Sequence, residues 1–458
     1  MNLSMTKLRA AATMMLAATV ITAPAAENKP PNVVIFLTDD LSRNDCTIYN
    51  PSCGIRAPNM ERVAREGMTF THAFVVSPSC APSRGALLTG LNPARNGAMF
   101  NHTVPDKQFK RWPAYFQEIG YEVVAIGKVA HYATVQQYGF DHCSHFNYHQ
   151  DDCIDAALAW LAKRASSKPL CLFVGSNWPH VPWPEKTDYP AETLVLPPTQ
   201  IDTPETRQYR ARYAAAVGNA DRDLGLVYDA ARKHLGQNLL FLFSSDNGAQ
   251  VPFAKWNCYD AGVHMPLVAI WPGKIRPGSR TGAMVTWEDF LPTCLDAVGA
   301  PVPPSGKGTG QITGRSFLAV LKGEAAEHRD RIFTTHSGDG KMNQYPMRSA
   351  RTREWKYVRN LAPNSEYHTH IDLANPDQYW FSWRLKAATN AAATAVVQRY
   401  HNRPAEELYD LKNDPHELRN LAAMPEQAGR LAQFRTELDA WMKANGDEGL
   451  PTENARRP

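Results

Sequence analysis

The sequence predicts an α/β domain built on a large, mostly parallel sheet that is covered by helices on both faces. Short continuous apolar runs, typical of strands buried on both sides, alternate along the chain with helical patterns. Four of these runs lead directly into polar segments rich in Asp, Asn, Lys and His. Since the carboxyl ends of parallel strands share one edge of a sheet, this edge is the expected ligand site.

The first predicted strand covers residues 32–38 (NVVIFLT) and ends at Asp39 and Asp40. The strand at 121–126 leads to Lys128 and His131, and the strand at 239–243 leads to Asp246 and Asn247. A further strand is predicted at 170–174 and leads to Trp178 and His180, and another is predicted at 266–270. Helices are predicted at 59–67, 154–164 and 209–233.

Residues 1–26 have the features of a cleaved signal peptide. Lys7 and Arg9 precede an apolar run at 10–21, and small residues follow at 23–26. The apolar run is too short to cross a bilayer, and no other stretch is a candidate membrane span. The sequence therefore predicts a periplasmic or secreted protein without a membrane span.

A Pro- and Gly-rich loop at 300–306 marks a change of pattern. Short β-like runs follow at 331–335, 355–359 and 407–411, and a helix is predicted at 425–445. These elements predict a catalytic domain over residues 27–330 and a smaller α+β subdomain with an antiparallel sheet over residues 331–458.

Charge and cysteine content narrow the function classes. A net charge of +4 is too small to indicate a nucleic-acid partner. The basic residues of segment 348–359 indicate either a rim for an acidic substrate or a solvated basic face. Eight cysteines in an exported chain permit disulfides, with 46–53 and 143–153 the closest pairs in sequence, whereas Cys171 lies in an apolar run and is expected in the core.

Cys80 stands in the unusual segment 77–90 (SPSCAPSRGALLTG). A helix starting near Pro82 would point its free amides and the positive end of its dipole at this position, and Arg84 would add a cation one turn later. The place suits an anion. Cys80 is then either a small buried hydrophobe or a nucleophile with a lowered pKa.

The side chains at the strand ends suggest two kinds of chemistry. Asp39, Asp40, Asp246 and Asn247 offer only oxygen ligands, which hard divalent cations such as Ca²⁺ or Mg²⁺ prefer, although an Asp pair can also cap a helix or bind a loop. The candidates for oxyanion binding are Arg84, Lys128 and Lys255, and those for general base and acid are His131 and His180.

The segment Cys80-Ala81-Pro82-Ser83-Arg84 resembles the Cys-x-Pro-Ser-Arg signature of the type I, formylglycine-dependent sulfatases, and the resemblance extends over most of the mature chain. It implies an alkaline-phosphatase-like fold and oxidation of Cys80 to formylglycine by a formylglycine-generating enzyme or an anaerobic sulfatase maturase. It also implies a Ca²⁺ ion, whose ligands would be Asp39, Asp40, Asp246, Asn247 and residue 80.

The same resemblance implies a role for each remaining residue. One hydroxyl of hydrated residue 80 would attack sulfur, and His180 would protonate the leaving group. Lys128 and Lys255 would hold the sulfate oxygens, Arg84 would steady the hydrate, and His131 would help to deprotonate the second hydroxyl. Lys128 and His131 are spaced as Lys-x-x-His, as in iduronate-2-sulfatases, whereas many members have Lys-x-His.

Within the family, the C-terminal part resembles the N-sulfoglucosamine sulfohydrolases, or heparan sulfamidases, at 345–349 (YPMRS), 407–410, 414–417 and 420–422. The resemblance favours N-sulfoglucosamine of heparan as substrate. The alternatives are an O-sulfatase acting on ulvan, carrageenan or glycosaminoglycan, a phosphate or phosphonate ester hydrolase, and a non-catalytic sulfated-glycan binding protein. Candidate pocket residues are His102, Trp178 and Arg348, for which core packing and surface charge are the alternative roles.

Overall fold

Two β-sheets organise the structure, a computed structural model that describes residues 29–147, 152–306, 310–341, 343–373 and 379–458. The predicted signal peptide lies in residues 1–28, outside the described residues. The larger sheet has nine strands, and the smaller one has four.

The strands of the large sheet are β1 (Asn32–Thr38), β2 (Met68–Phe74), β3 (Glu122–Gly127), β4 (His142–Ser144), β5 (Leu170–Gly175), β6 (Leu239–Ser245), β7 (His264–Met265), β8 (Leu267–Ile270) and β9 (Ser279–Thr286). Their order is β4-β3-β5-β1-β6-β8-β2-β7, with β9 paired to β2. The block β4-β3-β5-β1-β6 is parallel throughout, and β8 joins β6 antiparallel. The predicted mostly parallel α/β sheet is confirmed.

Helices cover both faces of this sheet. On β1, Val33 and Ile35 face one apolar core, and Val34 and Phe36 face the other, which explains why the strand is apolar at every position. The helices are α1 (Pro58–Glu66), α2 (Cys80–Leu87), α3 (Pro93–Asn96), α4 (Trp112–Glu118), α5 (Asp152–Lys163), α6 (Pro204–Leu235), α7 (Asp260–Val263), α8 (Phe290–Ala297), α9 (Leu318–Leu321), α10 (His370–Leu373), α11 (Tyr379–Ala387), α12 (Ala391–His401), α13 (Ala428–Asn445) and α14 (Leu450–Arg456).

The small sheet is antiparallel and consists of β10 (Ile332–His336), β11 (Met347–Arg351), β12 (Trp355–Asn360) and β13 (Glu406–Asp410), in that order. Helix α13 packs on one face through Phe434 and Leu438, and an aromatic cluster around Trp383 and Tyr400 lies at the other. The predicted antiparallel C-terminal sheet is confirmed, whereas the domain boundary at residue 330 stays a prediction.

The basic residues of segment 348–359 form ion pairs with acidic residues of the same chain. The guanidinium of Arg348 is completely buried and lies 2.6 Å from Glu453, with Asp447 as a second partner. The other four residues are also paired with acids: Arg351 and Lys356 with Asp260, Arg353 with Glu327, and Arg359 with Asp439. The expectation of a rim for an acidic substrate is therefore wrong for this segment, and so is that of a purely solvated face.

The eight cysteines all lie in described ranges, and no disulfide joins any two of them. The pairs 46–53 and 143–153, which the sequence left open as disulfides, are therefore not bridged here. Cys171 is fully buried in the sheet core, as expected. No helix in the described ranges combines the length and the apolar character needed to cross a bilayer.

Replacing Arg348 tests its structural role. Arg348→Met leaves two acidic groups in the interior without their cation, so we expect the free energy of unfolding to fall by about 3–5 kcal/mol. Arg353→Met removes an exposed ion pair with Glu327, and we expect a loss of at most about 1 kcal/mol. Denaturant unfolding of both variants compares them, and equal small losses would contradict the assignment.

Candidate active site

Polar side chains at the carboxyl ends of three parallel strands converge on the first residue of α2. Asp39 and Asp40 follow β1, Lys128 follows β3, and Asp246 follows β6. The Sγ of Cys80 lies 3.6 Å from Asp39 Oδ1, 3.9 Å from Asp40 Oδ1 and 3.8 Å from Lys128 Nζ. The sheet edge predicted from the sequence therefore gathers these residues around Cys80.

Helix α2 begins at Cys80 itself, two residues before Pro82. Ser79 is extended, with φ −142° and ψ 143°, and the backbone turns helical from Cys80 onward. The amide of Ala81 donates to Asn101 Oδ1 at 3.0 Å, and all eight residues of the helix are buried. Residue 80 thus lies at the positive end of a short buried helix.

Each of the three buried carboxylates has a buried cation beside it. Arg84 Nε donates to Asp246 Oδ2 at 2.8 Å, Lys255 Nζ lies 2.7 Å from Asp40 Oδ2, and Lys128 Nζ pairs with Asp39. Burial alone would lower the pKa of Lys128, but the Asp39 carboxylate, together with Cys80 and Tyr132, raises it well above its ordinary value. Charged neighbours likewise raise the pKa of Arg84 and of Lys255, so all three cations are charged at neutral pH.

The protonation of these carboxylates depends on burial as well as on the cations. Burial raises the pKa of Asp40 to about 7; Lys255 opposes the shift, while Asp39 and Asp246 add to it. Burial also raises the pKa of Asp39, but the nearby cations, Lys128 foremost, together outweigh it and hold that pKa well below its ordinary value. A further cation at this cluster would favour the ionised form of Asp40.

The donor set fits a hard divalent cation. Asn247 Nδ2 donates to Asp40 Oδ1 at 2.6 Å, and the buried Oδ1 of Asn247 has no hydrogen-bond partner. Asp39, Asp40 and Cys80 each offer one ligand atom, and these atoms lie within 4.8 Å of one another. Crowded carboxylates beside an unsatisfied amide oxygen are the surroundings that Ca²⁺ binds.

Both predicted histidines face this cluster, and both imidazoles are neutral because their pKa values are lowered. His180 Nδ1 lies 2.6 Å from the Val181 carbonyl, and its Nε2 lies 3.8 Å from Asp40 Oδ2. Burial, with Lys255 and Lys128 nearby, lowers the pKa of His180 well below its ordinary value. Burial and Lys128 lower the pKa of His131 to about 2.

A cavity of about 540 Å³ opens above Cys80. Four further predicted residues line it: His102, His131, His180 and Lys255. Sequence reasoning missed several others, namely Asn101, Tyr132, Trp183, Tyr209, Arg212, Gln250, Trp256, Asp339 and His370.

Asp339 is the central missed residue. Its carboxylate accepts hydrogen bonds from Asn101 Nδ2 and Trp256 Nε1, both at 2.9 Å, and lies 3.0 Å from His102 Nε2. Asp339 follows β10 in a polar segment, HSGDG, so it carries the same signal that located the polar residues of the large sheet.

Two predicted pocket residues lie elsewhere. Trp178 is 8% exposed, packs in a core of the large sheet and accepts a hydrogen bond from the Asp39 amide through its carbonyl. Arg348 belongs to the buried ion pairs of the C-terminal part. Of the three predicted substrate-binding residues, only His102 lines the cavity.

A parallel sheet whose carboxyl edge gathers carboxylates, cations and neutral histidines around one cavity defines an enzyme site for an anionic group. Residues 31–300 match the Sulfatase family model, and residues 248–379 match the model for the C-terminal part of N-sulphoglucosamine sulphohydrolase. The chain belongs to the sulfatase family and is a sulfuric ester hydrolase.

Two relatives span almost the whole chain. An ulvan-active sulfatase from Formosa agariphila is 30% identical over 439 residues, which cover 92% of this chain and 82% of that protein. The human N-sulphoglucosamine sulphohydrolase is 28% identical over 461 residues, which cover 90% of each protein.

Solved structures share the fold at lower identity. A chain solved in complex with its substrate D-glucosamine-2-N,6-O-disulfate has a TM-score of 0.69 and 21% identity, covering 92% of this chain and 99% of that one. A phosphonate monoester hydrolase from Silicibacter pomeroyi also has a TM-score of 0.69, at 17% identity, covering 91% and 96%. The expected alkaline-phosphatase-like sulfatase fold is confirmed.

A divalent cation at this site would bind in competition with a proton on Asp40, because burial raises the pKa of that carboxyl to about 7. The ionised carboxylate that the cation would need is present above about pH 7 and is lost below it. We expect the Ca²⁺ affinity to fall up to about tenfold for each pH unit below 7. Calorimetric Ca²⁺ titrations at about pH 8 and about pH 6 measure this, and equal affinities would contradict it.

Proposed function

We propose that the protein is a Ca²⁺-dependent sulfatase that releases sulfate from a sulfated saccharide, with residue 80 as formylglycine. The observation that carries the proposal is the position of Cys80 at the start of α2, between oxygen donors and cations at the base of the cavity. As a thiol this residue is a poor nucleophile, because burial raises the pKa of Cys80 well above its ordinary value.

The proposed Ca²⁺ ligands are the oxygens of Asp39, Asp40, Asp246 and Asn247 together with residue 80. Bound there, the cation would act as a Lewis acid that stabilises charge on the transferred group. A maturation enzyme, either a formylglycine-generating enzyme or an anaerobic sulfatase maturase, would have to oxidise Cys80. The hydrated aldehyde supplies two hydroxyl groups on one carbon, one as the nucleophile and one whose deprotonation releases sulfate.

The cations around residue 80 hold the sulfate group. Lys255 lines the cavity, and Lys128 Nζ lies 3.8 Å from the side chain of residue 80, so both ammonium groups can stabilise charge on sulfate oxygens. Arg84 is held by Asp246 and by the carbonyl of Lys128, and its charge interacts electrostatically with residue 80.

The two histidines move protons. Because His180 Nδ1 is directed to the Val181 carbonyl, its Nε2 is the atom that would protonate the leaving oxygen or nitrogen. An anionic sulfate close by favours the imidazolium and raises the low pKa of His180. His131 is neutral, as a group that accepts a proton from a hydroxyl of residue 80 must be.

The cavity wall suits a small saccharide. Its volume of about 540 Å³ lies within the range of small-molecule sites, and the aromatic residues Trp183, Tyr209 and Trp256 are among those that line it. His102 and Asp339 offer polar groups for sugar hydroxyls. The cavity thus favours recognition of a short saccharide or chain end.

We propose N-sulfoglucosamine of heparan as the sulfated unit. The match of residues 248–379 and the human relative support this choice. The 30% identical ulvan-active relative supports the alternative, an O-sulfatase on another sulfated polysaccharide. Likeness to the phosphonate monoester hydrolase concerns the fold alone.

We also propose export to the periplasm or the medium through the signal peptide at 1–26, and a division into a catalytic domain (27–330) and a C-terminal subdomain (331–458). Asp339 and His370, from the second part, line the same cavity as Cys80. The proposed subdomain would therefore take part in substrate binding.

Sulfate release from defined sugars tests the activity and the nucleophile together. We expect the mature enzyme to release sulfate from glucosamine N-sulfate and Cys80→Ala to release none, because no hydroxyl nucleophile can form. Cys171→Ala, which alters a buried core thiol, serves as the matched control and should retain activity.

Release only from O-sulfated sugars would overturn the N-sulfate assignment, and equal activity of Cys80→Ala would overturn the nucleophile. Mass spectrometry of tryptic peptide 66–84 reports the state of residue 80, and unmodified cysteine in active enzyme would exclude formylglycine. Sulfated-glycan binding without any turnover would establish a binding protein instead.

His180 is tested through the leaving group. We expect His180→Asn to lower kcat/KM on a saccharide sulfate by about 10²–10⁴-fold, because the leaving alkoxide or amine needs a proton. An aryl sulfate, whose phenolate leaves without protonation, should lose much less. Equal losses on both substrates would contradict the role of general acid.

A further inference from the structure

We propose a second metal site, for Zn²⁺ or a similar borderline transition metal, formed by His368, Asp372 and His401 in the C-terminal part of the chain. One ligand atom from each residue lies within 4.8 Å of the other two. This group shares no residue with the Asp39, Asp40 and Cys80 cluster, and the inference does not depend on the proposed function.

The backbone presents the three ligands to one point. His368 and Asp372 are four residues apart across the start of α10, so they share one side of a helical turn. His401 is the last residue of α12, and its ring centroid lies 4.9 Å from that of His368. Tetrahedral zinc places its ligand atoms about 3.3 Å apart, so small side-chain movements suffice.

Neighbouring polar groups hydrogen-bond to these side chains and orient them, as the hydrogen-bond partners of metal ligands do in metal sites. His401 Nδ1 lies 3.0 Å from the Tyr367 carbonyl, to which it donates, and this leaves the lone pair on Nε2. His368 Nε2 lies 3.2 Å from Glu366 Oε2, and its Nδ1 faces Asp372 Oδ2 at 2.6 Å. Two imidazoles held by a carbonyl and a carboxylate are typical of zinc ligation.

The carboxylate is also fixed in place. The side chain of Asp372 is 2% exposed, and its Oδ1 accepts from the Thr369 amide at 2.7 Å and from the Tyr400 hydroxyl at 3.2 Å. Oδ2 is thereby directed at His368, whose side chain is 34% exposed and leaves a path from solvent. Three protein ligands and a water would complete a tetrahedral site.

The ligand types select the metal. Two imidazoles and one carboxylate suit zinc and its neighbours, whereas Ca²⁺ prefers an all-oxygen shell such as the one around Asp40. The competing arrangement without metal is His368 hydrogen-bonded between Glu366 and Asp372. The two arrangements differ in whether the protein takes up a zinc ion.

Metal at this position would act on the wall of the active-site cavity. His370 belongs to the same short helix as Asp372, lines the cavity and lies 5.3 Å from Trp256 between ring centroids. A metal that joins α10 to the end of α12 would therefore restrict the segment that carries His370.

Calorimetric titration with Zn²⁺ tests the site in the full-length untagged enzyme, with Ca²⁺ in excess so that the oxygen site is filled. We expect the unsubstituted protein to bind one more Zn²⁺ per chain than His368→Gln or His401→Gln. The matched control is His234→Gln, an exposed histidine in the last turn of α6, which should bind as the unsubstituted protein does.

Two further readouts separate metal binding from folding defects. Co²⁺ added to the unsubstituted protein should give tetrahedral d–d absorption bands. In a separate measurement, zinc addition should slow hydrogen exchange in residues 366–373 of the unsubstituted protein but not of His401→Gln. No zinc uptake by the unsubstituted protein, or the same stoichiometry in all four proteins, would overturn the proposal.

Discussion

Three buried carboxylates face three buried cations at the carboxyl edge of the nine-stranded sheet, and the site is built on this pairing. Asp39 with Lys128, Asp40 with Lys255 and Asp246 with Arg84 keep their charges in the interior. Burial of an unpaired ion costs several kcal/mol, so loss of one partner destabilises the other. Burial nevertheless raises the pKa of Asp40 to about 7, so this carboxylate is only partly ionised at neutral pH. A further cation beside residue 80 would stabilise its ionised form.

Backbone packing brings these charges together. Gly127 ends β3 with φ +82°, and a Cβ there would lie 2.1 Å from the Gly175 carbonyl on β5. The amide of Lys128 donates to that carbonyl at 2.9 Å. Only glycine permits such a close approach. Lys128 follows this glycine, and its side chain reaches past β5 to Asp39, which follows β1. The position of the ammonium group therefore depends on two small residues as much as on its own side chain.

The C-terminal part also contributes side chains to this cavity, although none of its described lysines and arginines lines it. The basic residues of its segment 348–359 form ion pairs with acids of the same chain, such as Arg348 with Glu453. Two residues of this part line the cavity. Asp339 accepts hydrogen bonds from three side chains, and His370 lies against Trp256. The C-terminal part thus adds a carboxylate and an imidazole to the cavity wall, whereas the carboxylates and cations around residue 80 come from residues 39–255.

The sequence by itself determined the fold class, the parallel strands β1, β3, β5 and β6, and the polar residues at their ends, because continuous apolar runs and a shared edge follow from local pattern and sheet geometry. Strands β2, β4, β7, β9 and β11 are not predicted, since each mixes polar with apolar residues. Only the tertiary structure decided that no disulfide joins the cysteines, that Arg348 and Trp178 lie outside the cavity, and that Asp339 and His370 line it. These outcomes depend on contacts between residues far apart in the chain, which no local pattern encodes.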